Sequence, residues 1–339
     1  MKRVNNLLNQ ITDYNNLRLA YLKALRGKRA SNSALLFDMN ADYHLKKIKY
    51  NLENETYLFK KYKQFKILDP KERIITATCF EDRIVHHAII NILEPIFEKQ
   101  FIFHTYTCRK NKGTHKAIIF LSKKTNSSVY FLKLDIRKYF DSINHNILKT
   151  KLNRIIKDLK CLNLLFKKID SFSVIKNEGL PIGNLTSQFF ANLYLSSLDH
   201  FILEKLQPSF YVRYMDDMII LSDSITDLKS FFAEIKIYCE NELDLNLKKE
   251  VFGKIKDGIP FLGWRITKNK ILLLSKTKKR MRKKIKQIKH EFEKGFISEE
   301  IANKRIDNVI MSKKYHTNSP KTHFFLTKAK NVSSEVTVN

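Results

Sequence analysis

Three acidic residues stand where they could do chemistry. Asp135 falls near the end of Val129-Tyr130-Phe131-Leu132-Lys133-Leu134-Asp135-Ile136, a β-branched and aromatic run that predicts a buried strand ending at a carboxylate. Asp216 and Asp217 lie between Phe210-Tyr211-Val212-Arg213 and Met218-Ile219-Ile220-Leu221, two short runs that predict a β-hairpin with both acids at its tip. Singly, each has a plain explanation. An aspartate ending a strand is most often a solvated turn residue, and Asp-Asp in a hairpin is ordinary turn chemistry. Together, and in this order, they point further. Adjacent carboxylates between buried strands repel each other and call for a cation. A strand end facing a hairpin tip would gather hard oxygen donors at one point, a set suited to Mg²⁺, which keeps several waters. Two such ions about 3.5–4 Å apart serve nucleotidyl transfer: one activates a 3′-hydroxyl, and the other supports the triphosphate and the leaving pyrophosphate.

The patterning shows which elements must hold these acids. Residues 1–60 read as helical and basic, with an apolar stripe of Leu17, Leu19, Tyr21, Leu22 and Leu25 that breaks at Gly27. A strand over Gln64-Phe65-Lys66-Ile67-Leu68 is followed by a turn at Asp69-Pro70 and a strand over Arg73-Ile74-Ile75-Thr76-Ala77. Residues 81–97 predict a long helix with Ile84, Ala88, Ile89, Ile92 and Leu93 on one face. After the strand ending near Asp135, helical segments reach about residue 170. Gly179-Leu180-Pro181-Ile182-Gly183 then makes a turn into a helix through Phe189, Phe190, Leu193 and Leu195. Another helix is expected over 225–243, and a closing hairpin around Pro260-Phe261-Leu262-Gly263-Trp264. From about 275 cations crowd the chain, threaded by a helical stripe of Met281, Ile285, Ile288 and Phe292. Gly295 can stop that helix. Ser298 with Glu299 and Glu300 can start another, whose buried face is Ile306, Val309 and Ile310. The fold class expected is mixed α/β (α+β), with a small helical domain after the main body.

Charge narrows the partners. Lys and Arg outnumber Asp and Glu by 29, more than solubility requires. Such an excess marks a polyanion-binding surface, with nucleic acid first and an anionic membrane second. No run of about 18 apolar residues is present, and no apolar segment follows Met1-Lys2-Arg3-Val4-Asn5-Asn6, so neither a membrane span nor a secretory signal is expected. Cys79, Cys108, Cys161 and Cys239 are scattered without a C-x-x-C pair, which suggests neither a zinc site nor a disulfide framework and fits a reducing cytosol.

The constellation resembles the palm of reverse transcriptases, whose blocks recur here in the family's order. Leu134-Asp135-Ile136-Arg137-Lys138-Tyr139-Phe140-Asp141 resembles the first palm block. Gly179-Leu180-Pro181-Ile182-Gly183-Asn184-Leu185-Thr186-Ser187-Gln188 resembles the next, and Tyr214-Met215-Asp216-Asp217 is the third. Leu245-Asn246-Leu247-Lys248-Lys249 and Phe261-Leu262-Gly263-Trp264 stand as fourth and fifth. Upstream, Asp82-Arg83-Ile84-Val85, Leu93-Glu94-Pro95-Ile96-Phe97-Glu98 and Tyr106-Thr107-Cys108-Arg109-Lys110-Asn111-Lys112-Gly113 are similar to fingers blocks of bacterial members.

The resemblance spans roughly residues 60–270 and implies a right-hand polymerase fold. Fingers and palm would occupy 61–270, with helices on an antiparallel palm sheet. A basic helical extension would precede them over 1–60, a small helical thumb would follow over 271–320, and a tail over 321–339. By position, Asp135, Asp216 and Asp217 match the metal ligands, with the Ile136 carbonyl as an extra oxygen. The ions implied are two Mg²⁺, with Mn²⁺ as a substitute. Phe140 matches the ring that excludes a ribose 2′-hydroxyl; its plain alternative is a core side chain. Lys66 and Arg73 match the cations that grip the incoming triphosphate, and Ile182, Gly183 and Gln188 match residues of the nucleotide site. Lys249 matches a donor of a proton to pyrophosphate, with Lys248 as the alternative. Phe261, Leu262 and Gly263 match the primer grip. Arg109, Lys110, Lys278, Lys279, Arg280, Arg282 and Lys283 would contact nucleic-acid backbone.

Many reverse transcriptases carry Gln where this chain has Ile182 and Pro where it has Gln188. The run Ile182-Gly183-Asn184-Leu185-Thr186-Ser187-Gln188 instead resembles enzymes of diversity-generating retroelements, as does Phe189-Phe190-Ala191-Asn192-Leu193-Tyr194-Leu195. That resemblance implies error-prone copying at template adenines. It also implies a template RNA, a primer, an RNA–DNA hybrid, dNTPs and a small basic accessory protein as partners, and a cytoplasmic enzyme of bacterial or phage origin with no membrane role. About 75 residues follow Trp264, short for an RNase H domain. Other readings are a retron-like or other bacterial defence reverse transcriptase, a non-catalytic RNA-binding protein on a polymerase fold, and an RNA-templated RNA polymerase, which Phe140 disfavours.

Overall fold

The structure is a computed structural model that describes residues 2–68 and 72–314. The expected turn at Asp69-Pro70 and the tail over 321–339 lie outside the described residues. In chain order the elements begin with α1 (Leu7–Thr12), α2 (Tyr14–Ala24), α3 (Asn32–Asp38), α4 (Ala41–Glu53), β1 (Lys63–Ile67), β2 (Arg73–Ala77), α5 (Phe80–Glu98), α6 (Thr114–Lys124) and β3 (Tyr130–Leu134). Next come α7 (His145–Ile155), α8 (Leu159–Asp170), α9 (Leu185–Tyr194), α10 (Ser196–Phe201), β4 (Phe210–Tyr214), β5 (Asp217–Ser222) and α11 (Ile225–Leu243). The last are β6 (Val251–Lys254), β7 (Ile259–Phe261), β8 (Trp264–Ile266), β9 (Ile271–Leu273), α12 (Ser275–Glu293) and α13 (Glu299–Lys314). They divide into two compact units. One takes the chain up to Phe103, Ile136–Leu206 and Glu234–Lys248; the other takes His104–Asp135, Gln207–Ala233 and the chain from Lys249.

The first unit is built around α5. Its Ile84, Val85, Ala88, Ile89, Leu93 and Phe97 are fully buried, and Ile90 nearly so. A helix apolar over so much of its surface belongs inside a core, and α5 packs against α2, α9 and α1. The Phe97 and Phe190 rings meet edge to face at 6.4 Å. Asp158 caps α8 through the Cys161 N–H at 3.0 Å and also accepts from the N–H groups of Leu7 and Leu8, fastening the start of α1. The stripe expected in α2 needs correction. Leu17, Ala20, Tyr21 and Ala24 form the buried face, whereas Leu19 and Leu22 are 46% and 49% exposed. A period of 3.6 from Leu17 selects positions 20, 21 and 24 and leaves 19 and 22 outside. The strands β1 and β2 pair as an antiparallel hairpin from Lys63↔Ala77 to Ile67↔Arg73, one residue earlier than expected for β1, so Leu68 lies past its end.

The second unit holds two antiparallel sheets, one in the order β4-β5-β3-β6 and one in the order β7-β8-β9. One apolar cluster joins them. Phe131, Val212 and Ile219 from the larger sheet, Trp264 from the smaller, and Met281, Ile285 and Ile306 from α12 and α13 share it. The basic helices after 275 therefore rest on the same core as the strands that carry the acids. Strands β6 and β9 were not legible in the sequence. Both are short, and β6 contains Gly253, whose bare Cα the Phe131 ring overlies so closely that a Cβ would sit 2.6 Å from ring carbons.

One buried charge in the first unit has a measurable consequence. Lys168 is 2% exposed, donates from Nζ to the Tyr62 hydroxyl at 2.6 Å, and lies over the Phe59 and Tyr62 rings. Burial lowers its pKa from 10.5 to about 7, against the opposing pull of Asp82. Between those values the unfolded chain holds a proton that the folded protein releases. The penalty of burying the charged form is therefore full below the folded pKa and declines as pH rises towards 10.5. Lys168→Met is expected to raise the thermal midpoint at neutral pH and to flatten its rise from neutral to alkaline pH; Tyr62 keeps Ser171 as a partner at 2.8 Å. Thermal unfolding of both proteins across that range tests this, and parallel pH profiles would refute it.

Candidate active site

Strand pairing puts the acids side by side. β3 runs antiparallel to β5 with Leu134 opposite Met218. Asp135 follows directly on the last residue of β3, and Asp217 is the first residue of β5. β5 in turn pairs with β4 so that Tyr214 faces Asp217, leaving Met215 and Asp216 as a two-residue turn. All three acids are half-buried.

The turn is strained and braced. Met215 has φ 57°, a value that a tight hairpin demands at its first central position and that glycine usually supplies. For a residue with a Cβ it costs about 1–2 kcal/mol. Arg213, fully buried, donates from Nη1 to the Met215 carbonyl at 3.0 Å. The Arg213 backbone is itself fixed: its N–H donates to His104 O and its carbonyl accepts from Tyr106 N–H, both at 3.0 Å. The Tyr214 hydroxyl accepts from Thr114 Oγ1 at 3.1 Å. The acids thus ride on a turn pinned from below and from the side.

Neighbouring carboxylates repel each other, and one residue offsets the charge of Asp217. Lys133 lies two positions before Asp135 on the same strand face. Its Nζ is 2.9 Å from Asp217 Oδ1, donates to Oδ2 at 3.0 Å, and donates to the Pro260 carbonyl at 2.9 Å. Neither Lys133 nor Arg213 was singled out from the sequence. The signal was present in both cases: a cation inside an otherwise apolar strand, close to the acids it serves.

With side chains placed this way, no group of three or more His, Cys, Asp and Glu gathers to hold a metal ion among the described residues. The donor chemistry nonetheless fits Mg²⁺ or Mn²⁺: hard carboxylate oxygens at neighbouring positions of one braced sheet. A divalent ion would meet Lys133 already closed on Asp217.

The other expected residues of the second unit sit as follows. Lys249 is exposed in the loop before β6. Phe261 ends β7 fully buried, and Leu262 and Gly263 form the turn to β8 with φ 48° and 88°. Thr277 donates to the Gly263 carbonyl at 2.9 Å. Arg109 donates to Thr105 O at 3.0 Å, and Lys110 is exposed. On α12, Lys279, Arg282 and Lys283 are exposed, and Lys278 and Arg280 are half-buried.

The first unit holds the nucleotide candidates. Lys66, in β1, is 3.0 Å from Glu72 Oε1, and Arg73 opens β2. The turn of the second block backs this hairpin: Thr76 N–H donates to Ile182 O at 2.9 Å. Gly183 has φ 110°, and a Cβ there would lie 3.0 Å from Ile75 Cγ2. Phe140 is half-buried in a 3₁₀ turn, and its carbonyl accepts from Leu180 N–H at 2.7 Å. Phe140, the Gly179–Gly183 segment and β2 are therefore linked by backbone hydrogen bonds. Gln188 is half-buried on α9. Ile136, fully buried, makes a backbone bridge with Leu247.

Comparison with known proteins gives a consistent result. The profile of the reverse transcriptase (RNA-dependent DNA polymerase) family matches residues 60–266. The putative COX1/OXI3 intron 2 protein of Saccharomyces cerevisiae is 24% identical over 330 residues, covering 76% of this chain and 38% of that protein. The group II intron-encoded protein LtrA of Lactococcus lactis is 28% identical over 198 residues, covering 55% of this chain and 33% of that protein. This chain thus spans little more than a third of the length of those relatives. A structure of Candida albicans telomerase with a fragment of telomeric RNA aligns with 90% of this chain and 69% of its own, at TM-score 0.50 and 12% identity. That likeness is one of fold.

Because a divalent ion near Asp217 must share the carboxylate with Lys133, Lys133→Met is expected to tighten Mn²⁺ binding. A neighbouring positive charge screened at high effective dielectric is worth about 1.4 kcal/mol here, or roughly tenfold in Kd. The same change should lower the thermal midpoint of the ion-free protein by exposing the repulsion between Asp135 and Asp217. Calorimetric titration with Mn²⁺ checks the first effect; equal affinities in the two proteins would show that Lys133 does not compete.

Proposed function

This chain belongs to the reverse transcriptase (RNA-dependent DNA polymerase) family, and we propose that it copies an RNA template into DNA by metal-assisted nucleotidyl transfer. Its mixed architecture of helices and antiparallel sheets is that of right-hand polymerases. The observation that carries the functional reading is the braced sheet in which Asp135 follows β3, Asp217 opens the paired strand β5, and Asp216 lies in the adjoining turn. Asp135, Asp216 and Asp217 would hold Mg²⁺, with the Ile136 carbonyl as an added donor. The ions would supply activation of the primer 3′-hydroxyl and charge stabilisation on the phosphates.

The remaining residues bind and orient. Lys66 and Arg73 would take triphosphate oxygens, Lys66 exchanging its exposed contact with Glu72 for the phosphate. The half-buried Phe140 ring would stand against a ribose 2′-hydroxyl and so select dNTPs. Lys249, exposed and unencumbered by any core packing, would give its proton to the leaving pyrophosphate. The rigid Leu262–Gly263 turn, tied to α12 through Thr277, would hold the primer strand. Lys279, Arg282 and Lys283 on the outer face of α12, with Lys278, Arg280, Arg109 and Lys110, would contact the backbone of the RNA–DNA hybrid, making affinity fall with salt. Residues 61–270 then act as fingers and palm, 271–320 as thumb, and 1–60 as a basic extension.

The finer reading is error-prone copying at template adenines within a diversity-generating retroelement, with a small basic accessory protein. It rests on Ile182, whose side chain cannot donate the hydrogen bonds a glutamine can, and on Gln188. The intron-encoded relatives favour a second reading, copying of an intron RNA.

Primer extension on an RNA template with dNTPs and Mg²⁺ tests the activity. Asp216→Asn is expected to reduce extension by at least ~10³-fold, corresponding to ~4 kcal/mol of lost transition-state stabilisation, with its circular dichroism unchanged. Extension equal to wild type would overturn the assignment. Sequencing the products separates the finer readings. Errors should cluster opposite adenines, and Ile182→Gln should lower them by roughly fivefold, about 1 kcal/mol of discrimination. Uniformly accurate products from the unaltered protein would favour the intron-type reading.

A further inference from the structure

The β1–β2 hairpin has almost no core of its own. Every residue of β1 is exposed, as are the first two of β2, and only Thr76 is buried. An isolated two-stranded hairpin is marginally stable in water. Its position must be set where it joins the rest of the first unit, and there the polar groups converge on one side chain.

Asp82 lies in the first turn of α5 and is fully buried. Its Oδ1 accepts from the Tyr57 hydroxyl at 2.7 Å. Its Oδ2 accepts from the Lys60 N–H at 2.9 Å and from Thr78 Oγ1 at 3.3 Å. Tyr57 and Lys60 precede β1, and Thr78 follows β2, so one carboxylate holds both roots of the hairpin. Burial and the Asp82 charge push the Tyr57 hydroxyl well above its ordinary range, which keeps it a donor. An acid in the first turn of a helix is commonly explained by the helix dipole alone. Such an acid has no need to be wholly buried, nor to face away from its helix towards two separate strands' ends.

We propose that Asp82 is a positioning residue that latches both roots of the β1–β2 hairpin and thereby places Lys66 and Arg73 for the incoming nucleotide. The second half rests on the nucleotide-binding reading of those two cations. Two lesser ties assist it: Tyr62, next to β1, is held by Lys168 and Ser171, and Thr76 N–H is held by Ile182 O. Neither spans both roots.

Asp82→Asn tests this with little change in shape. An amide can still accept from Tyr57, but its NH₂ faces the Lys60 N–H, donor against donor. Hydrogen exchange should accelerate across 63–67 and 73–77 while 130–134 and 217–222 keep their protection. The KM for dNTP should rise about fivefold with kcat little changed, and Lys66→Gln should cost less in the Asp82→Asn background than alone. Tyr57→Phe, which removes one donor only, should give a smaller shift in the same direction and serves if Asp82→Asn folds poorly. Unchanged exchange in the hairpin in both variants would overturn the latch. Faster exchange with unchanged KM would keep the latch and overturn the nucleotide-binding role of Lys66 and Arg73.

Discussion

Like charges held at the ends of two paired strands are the constraint around which the second unit is arranged. Asp135 and Asp217 flank the last pair of the β3–β5 ladder, Leu134↔Met218, so the chain cannot separate them freely without moving the sheet. A loop carrying the same residues would swing them apart. The repulsion is tolerable because the strands behind it are deeply packed: Leu132, Met218, Ile219, Ile220 and Leu221 are fully buried. It is offset because Lys133, on the same face, reaches Asp217 and the Pro260 carbonyl together. That double contact also ties the acids to the hairpin of β7 and β8. Stability from burial is thereby converted into a fixed concentration of negative charge, the condition a divalent ion needs.

The first unit solves a different problem with different means. Its hairpin is exposed along most of its length, so apolar packing there does not hold it. Polar contacts at its base do the holding instead, and they are buried where water cannot compete for them.

Alternation and periodicity made the frame of both units legible. The strand leading to Asp135, the hairpin around Asp216 and the helix expected over 225–243, observed as Ile225–Leu243, each carried a long enough pattern to be read alone. Leu19 and Leu22 were misplaced because a leucine-rich helix offers more apolar residues than its buried face can take. β6 and β9 escaped because three or four residues contain too little alternation to stand out, and their pairing depends on partners far along the chain. The acids of the candidate site were legible as types at strand ends. Lys133, Arg213 and Asp82 were not, since each works through a partner whose proximity only the fold creates. A cation interrupting an apolar run was the available sign for Lys133 and Arg213, whereas Asp82 stands between Glu81 and Arg83 and carries no such sign.

Position 182 shows how such a scaffold leaves room for altered chemistry. Ile182 holds β2 through its carbonyl, which any residue other than one that disturbs the turn would provide. Gly183 fixes the turn itself, because φ 110° and the nearby Ile75 exclude a side chain there. The Ile182 side chain is only half-buried and carries none of this. Geometry is assigned to the backbone and to the glycine, and the neighbouring side chain is left free to vary. A change from a hydrogen-bonding residue to an apolar one at that position therefore alters the side chain presented without altering the turn that presents it, which is the property a polymerase would need for its fidelity to vary while its fold does not.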